Sequence, residues 1–116
     1  MARQSKHIVL TDGQRAHRPA KGSPVVCAML GAIEHLTRGL AVDLAPLRIN
    51  AVCPGLIGTD RNMKMSEETR ANFMTAGQPL PRMGELAEIA QAYLYLMRGG
   101  FTTGQVLMVD GGRTLV

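Results

Sequence analysis

Aromatic residues are scarce in this chain. Of 116 residues, two are Phe, two are Tyr and none is Trp. A core must therefore be assembled from Val, Ile, Leu, Met and Ala, and there is no aromatic platform on which bases could stack. Charge of one sign is not in large excess either, since the formal net charge is +4. Arg3, Lys6, Arg15, Arg18, Lys21 and Arg38 concentrate positive charge in the first third. No binding motif accompanies them, and a bias of this size reads as solvated surface, so no nucleic-acid partner is expected. The only cysteines, Cys27 and Cys53, lack metal-ligand spacing. Each lies in an apolar run and reads as a small buried thiol, so neither a disulfide nor a metal is expected. The first residues, MARQSKH, lack the apolar core of a signal peptide. No run reaches the ~18 consecutive apolar residues of a membrane span, so a cytoplasmic protein with no membrane partner is expected.

What is present suits one globular domain. Hydrophobic content is 46%, and 116 residues suffice for a modest core. The organising stretch runs from Gly22 to Asp60. An apolar segment from Pro24 to Ala45 predicts a long helix: Ser23 is placed as an N-cap, and Pro24 at the first position gives up no needed hydrogen bond. Met29, Ile33, Leu36, Leu40 and Leu44 recur at steps of three and four as one stripe, which Val26, Leu30 and Ala41 widen. The polar residues Glu34, His35, Arg38 and Asp43 are few, so burial on more than one side is expected, against a sheet and against a second partner. Glu34 and Arg38 are spaced to pair at i,i+4, for about 0.2–0.5 kcal/mol. Pro46 ends the helix.

Around it, Ile8 to Thr11 predicts a strand of the kind buried on both faces, closed by Asp12-Gly13. Arg48 to Cys53 predicts a second strand, broken at Pro54-Gly55. Ser66 opens a short helix from Glu67 to about Thr75, with acidic residues in its first turn. Glu85 to Arg98 predicts a further helix with a face of Leu86, Ile89, Ala90, Tyr93 and Leu94, ended by Gly99-Gly100. Gln105 to Val109 predicts a third strand. Apolar strands separated by helices describe an α/β domain with a parallel sheet. Three strands make a small sheet whose edge is a pairing surface.

Four stretches, in order, resemble the C-terminal half of a short-chain dehydrogenase/reductase. AIEHLTRGLAVDLAPLRINAVCPGLIGTD (32–60) is similar to that family's long helix, sixth strand and Pro-Gly loop. PRMGELAEIAQAYLYLM (81–97) resembles its last helix, TGQVLMVDGG (103–112) its final strand and tail, and IVLTDG (8–13) its fifth strand. The resemblance implies a partial Rossmann-like parallel sheet of three adjacent strands, spanning 1–116 as a single domain. It implies NAD(P) as cofactor, with Pro54, Gly55, Ile57 and Thr59 in the loop that holds the nicotinamide carboxamide.

The departures are equally specific. The family's glycine-rich phosphate turn, which admits a pyrophosphate to a helix N-terminus, has no counterpart before the first strand. The family's Tyr and its Lys four residues on fall at Val26 and Leu30. No Tyr occurs before Tyr93, and the long helix contains no Lys. A Lys ammonium is what lowers the phenol pKa for proton transfer near neutral pH. The family's catalytic Ser falls at Asp12 or Gly13, where Asp12-Gly13 also reads as a plain turn.

A truncated or catalytically impaired oxidoreductase of this family is therefore expected, with no catalytic residues to name and no tight dinucleotide binding by these residues alone. The alternative is a non-enzymatic module that forms homo-oligomers through helix 24–45, where the resemblance places a subunit interface, or that assembles with a separately encoded N-terminal half. A third possibility is altered chemistry through Asp12, which requires further polypeptide.

Overall fold

The computed structural model describes residues 6–75 and 77–116; Arg3 of the basic first third lies outside them. Three strands, β1 (His7–Thr11), β2 (Arg48–Pro54) and β3 (Val106–Val109), alternate with helices α1 (Pro24–Asp43), α2 (Asp60–Met63), α3 (Glu67–Thr75) and α4 (Leu86–Arg98). All strand pairs are parallel and the order is β1-β2-β3, with Thr11 opposite Val52 and Pro54 opposite Val109. The expected three-stranded parallel sheet, long apolar helix and second helical segment are all present.

Successive residues of a strand face opposite sides. On one side, Val52 packs with Ala92 and Leu96 of α4, bordered by Val9, Leu107 and Val109. On the other, Cys53 meets Glu34 of α1. Helices thus cover both faces of β2, which is buried from Arg48 to Cys53. The expected two-faced burial fails for β1, where Ile8 is 39% exposed. The reason is position: β1 is an outer strand, and α1 packs mainly on β2.

A buried cation ties the layers together. Arg48 Nη1 donates to the carbonyls of Leu96 at 2.9 Å and Thr102 at 3.2 Å, and Nη2 to Met97 at 3.1 Å. Asn50 does the same for the approach to β3. Its Nδ2 donates to Thr102 O at 2.9 Å, and its Oδ1 accepts from Gln105 N at 3.0 Å. Carbonyls that a helix end and a crossing loop would leave unpaired are thereby satisfied.

Several local expectations shift. Helix α1 ends at Asp43 rather than Ala45, with Leu44 as C-cap. Ser23 occupies the N-cap position without capping, because its hydroxyl donates to Ala20 O at 2.8 Å and accepts from Arg15 at 3.1 Å. The face of α1 turned to the sheet is Glu34, Thr37 and Ala41, not the predicted stripe. Met29 and Leu36 of that stripe are 63% and 51% exposed, and Leu44 is exposed as well. The Glu34–Arg38 pair forms, at 3.8 Å. By length and composition α1 also reaches the level of a membrane span, contrary to expectation; here it is the helix between β1 and β2, packed on β2. In α4 the buried residues are Ala92 and Leu96; of the predicted face, Ile89 and Tyr93 pack against this core, while Leu86 and Leu94 are exposed. Composition marked both helices as apolar, but periodicity alone did not set their rotation about their axes.

Helix α2 was not anticipated. Thr59 Oγ1 caps it by accepting from Asn62 N at 3.3 Å. Ser66 does cap α3, accepting from Thr69 N at 3.1 Å.

Candidate functional site

The Pro-Gly loop lies at the carboxyl ends of β2 and β3, the side on which open α/β sheets bind ligands. Gly55 N donates to Val109 O at 2.9 Å. A Cβ on Gly55 would stand 2.7 Å from Asp110 Cα, so only glycine lets the loop lie this close to the end of β3. Beyond it, Ile57 forms an isolated parallel bridge with Gly84. Gly58 N donates to Gly84 O, and Gly84 N to Leu56 O, each at 2.9 Å. Leu56 and Ile57 are buried. Ile57 O accepts from Thr59 N at 2.7 Å and from Asn62 Nδ2 at 2.7 Å. Pro54, Gly55, Ile57 and Thr59 are thus held in one hydrogen-bonded loop.

Its second wall is the lead-in to α4. Arg82 reaches Glu88 through two parallel bonds of 2.8 and 2.7 Å, while Glu85 N donates to Glu88 Oε2 at 2.8 Å. Arg82, then the Glu85 N–H, hold the Glu88 carboxyl down at about 2. The pair is solvent-facing, so it positions Gly84 rather than adding much stability. Between loop and wall is a cleft of about 130 Å3 lined by residues including Ile57, Gln78, Arg82 and Asp110. Ligand pockets for drug-sized molecules run to roughly 300–1,000 Å3. The cleft is too small for a whole dinucleotide.

Asp110 anchors the far side. Its Oδ1 accepts from Gly112 N at 3.0 Å, and its Oδ2 from the Thr114 N–H and hydroxyl, each at 2.8 Å. Burial would raise its pKa, but the Thr114 and Gly112 donors outweigh burial and hold it below the usual carboxylate value.

A second constellation sits on the α1 side of the sheet. Asp12 follows β1, His17 lies in the next turn, Glu34 is on α1 and Cys53 is the last residue but one of β2. One ligating atom from each lies within 4.8 Å of the others. Asp12, Glu34 and Cys53 are buried. His17 stands at the rim, its Nε2 against Glu34 Oε1. Burial, and then the Glu34 carboxyl, push Asp12 up to about 6. Burial acts on Glu34 in the same sense, but Asp12, His17 and Arg38 prevail and lower it. Burial, reinforced by the two carboxylates, pushes the Cys53 thiol far up. Sequence spacing could not reveal this group: 41 positions separate its ends, and parallel pairing of β1 with β2 brings Asp12 beside Cys53. Cys27 is half-buried outside it, and both cysteines are free thiols.

The positions that the resemblance aligns with a Tyr and a Lys carry apolar side chains. Val26 is exposed, and Leu30 lies against the Asp12-Gly13 turn, where a Cβ on Gly13 would be 3.0 Å from Leu30 Cδ1.

Three parallel strands with helices on both faces and a Pro-Gly loop at their carboxyl ends make up a Rossmann-like α/β unit. The family model described as enoyl-(acyl carrier protein) reductase matches residues 1–114. Short-chain dehydrogenase/reductase ATR9 of Stachybotrys chlorohalonatus is 39% identical over 110 residues, covering 93% of this chain and 44% of that protein. Carbonyl reductase family member 4 of Danio rerio is 42% identical over 97 residues, covering 82% and 39%. The crystal structure of a small-chain dehydrogenase in complex with NADPH superposes with a TM-score of 0.82 at 36% identity, covering 95% of this chain and 52% of that one. This chain belongs to the short-chain dehydrogenase/reductase family of oxidoreductases. It spans about half or less of the length of these relatives.

Proposed function

We propose that these 116 residues form the nicotinamide-side half of an NAD(P)-dependent oxidoreductase fold. In this reading, Pro54, Gly55, Ile57 and Thr59 present the loop that faces the nicotinamide carboxamide. By themselves, the residues neither grip a dinucleotide tightly nor transfer hydride. The observation that carries the reading is the Pro-Gly loop, held by Val109, Gly84 and Asn62 at the carboxyl ends of β2 and β3. Residues 1–116 supply only one end of a cofactor site: the glycine-rich turn is not among them, and the positions at Val26 and Leu30 hold no proton donor. The place of β1 at the outside of the described sheet and the exposure of Ile8 suit a position beside further strands of such a fold. The test is fluorescence titration of the purified chain with NADPH and NADH, alongside carbonyl reduction. No saturable binding and no turnover is the expected result. Saturable binding with turnover that follows this polypeptide through purification overturns it.

A second reading has its own support. Val25, Met29 and Leu36 share one apolar outer side of α1 and are 69%, 63% and 51% exposed. A face of this kind marks an interaction surface, and we propose that a second copy of the chain covers it. Light scattering on a dilute sample is expected to give a dimer or larger, and Leu36→Glu a monomer. A wild-type chain that stays monomeric sinks this reading. The free thiols Cys27 and Cys53 accord with a reducing, cytoplasmic setting.

A further inference from the structure

We propose that Asp12, His17, Glu34 and Cys53 bind one divalent transition-metal ion of the zinc type. The inference is independent of dinucleotide binding and uses residues outside the Pro-Gly loop.

Geometry comes first. The four ligating atoms lie within 4.8 Å of one another. In a tetrahedral shell with bonds of about 2.0–2.3 Å, neighbouring ligand atoms stand roughly 3.3–3.8 Å apart. The widest separation therefore has to close by about 1 Å. His17 is the member best placed to adjust, because it sits at the exposed rim on a turn rather than in the sheet; on coordination its nitrogen would exchange the Glu34 oxygen for the ion.

The second observation is Asp12 itself. It is only 5% exposed, and both of its carboxylate oxygens are buried with no hydrogen-bond partner. A buried carboxylate left in that state is costly. Its neighbour is another buried carboxylate, Glu34. Two such groups repel unless positive charge comes between them. His17 meets the outer side of Glu34, and Arg38, largely exposed, reaches its other oxygen at 3.8 Å. Neither side chain hydrogen-bonds Asp12. A metal ion at the centre would satisfy both carboxylates and turn the Cys53 thiol into a thiolate ligand.

The donor set selects the metal. One sulfur, one imidazole and two carboxylates suit Zn2+ or Co2+. Ca2+ and Mg2+ require six or more oxygen donors, or octahedral geometry with retained waters. Three ligands lie buried beneath His17, so an ion would enter past that ring and be closed in by it.

The experiment uses the intact chain, stripped with chelator and titrated with Zn2+ by calorimetry and with Co2+ by absorption. The expected result is one ion per chain, a melting temperature that rises with saturating Zn2+, and a thiolate-to-cobalt charge-transfer band in the near ultraviolet. Cys53→Ser should abolish the band. His17→Ala, at the rim, should weaken Zn2+ binding by about tenfold or more. Cys27→Ser should change none of these. The proposal is overturned if uptake is not saturable, or if His17→Ala and Cys53→Ser leave it unchanged. It is equally overturned if Zn2+ has no effect on melting while Asp12→Asn stabilises the chain, because the carboxylates would then be sharing a proton.

Discussion

Arg48 Nη1 donates to the carbonyl oxygen of Leu96 at 2.9 Å, joining the first residue of β2 to the last turn of α4. The guanidinium is buried, and it also serves Met97 and Thr102. It lies where the helix dipole favours a cation and where four carbonyls lack intrahelical partners. Arg48→Met should lower stability by about 2–4 kcal/mol, since charge-assisted bonds are lost and buried carbonyls are left unpaired. Arg48→Lys should recover only part, because one ammonium cannot reproduce the planar fork. Urea unfolding midpoints measure both.

Leu96 carries the other half of that joint. Its side chain is buried against Val52, at the centre of the α4 face. Leu96→Ala should cost about 2–5 kcal/mol. Leu94→Ala, on the exposed side of the same helix, should cost far less. Equal losses would mean that α4 is rotated from the orientation described.

Gly55→Ala forces a Cβ to within 2.7 Å of Asp110 Cα and 2.9 Å of Asp110 Cβ. Backbone cannot yield as a side-chain tip can, so a loss of about 1–3 kcal/mol is expected. Gly39→Ala is the contrasting case. It is helical, with nothing within 4 Å of the added carbon, and should stabilise by about 0.5–1 kcal/mol. Thermal unfolding of the two variants should move in opposite directions.

Asp110 sets an acid limit. Its folded-state pKa is held below its unfolded value by Thr114 and Gly112. Its stabilising contribution is therefore complete above the unfolded value, near 3.9, and is lost as pH falls through the lower folded value. Asp110→Asn should be less stable than the parent at pH 7. The difference should shrink as denaturation is repeated at pH 5, 4 and 3. A gap that widens on acidification would contradict this sign.

Chain order and apolar runs determined much by themselves. Strand, helix, strand, helices and strand could be placed within a few residues, because Pro24, Pro46, Pro54 and the glycine pairs punctuate the chain at fixed points. The Pro-Gly loop was legible for the same reason, since its residues are contiguous. Tertiary structure alone decided which side of each helix is buried. Leu36 and Leu94 match the helical period as well as Ala41 and Leu96 do, and only the position of β2 between the helices separates them. It also decided that β1 is half-covered, which depends on its place at the outside of the sheet. The grouping of Asp12, His17, Glu34 and Cys53 was decided there too. Separation along the chain carries no record of parallel pairing, so the residues that share this buried corner became neighbours only when β1 was laid beside β2 and α1 was folded over them.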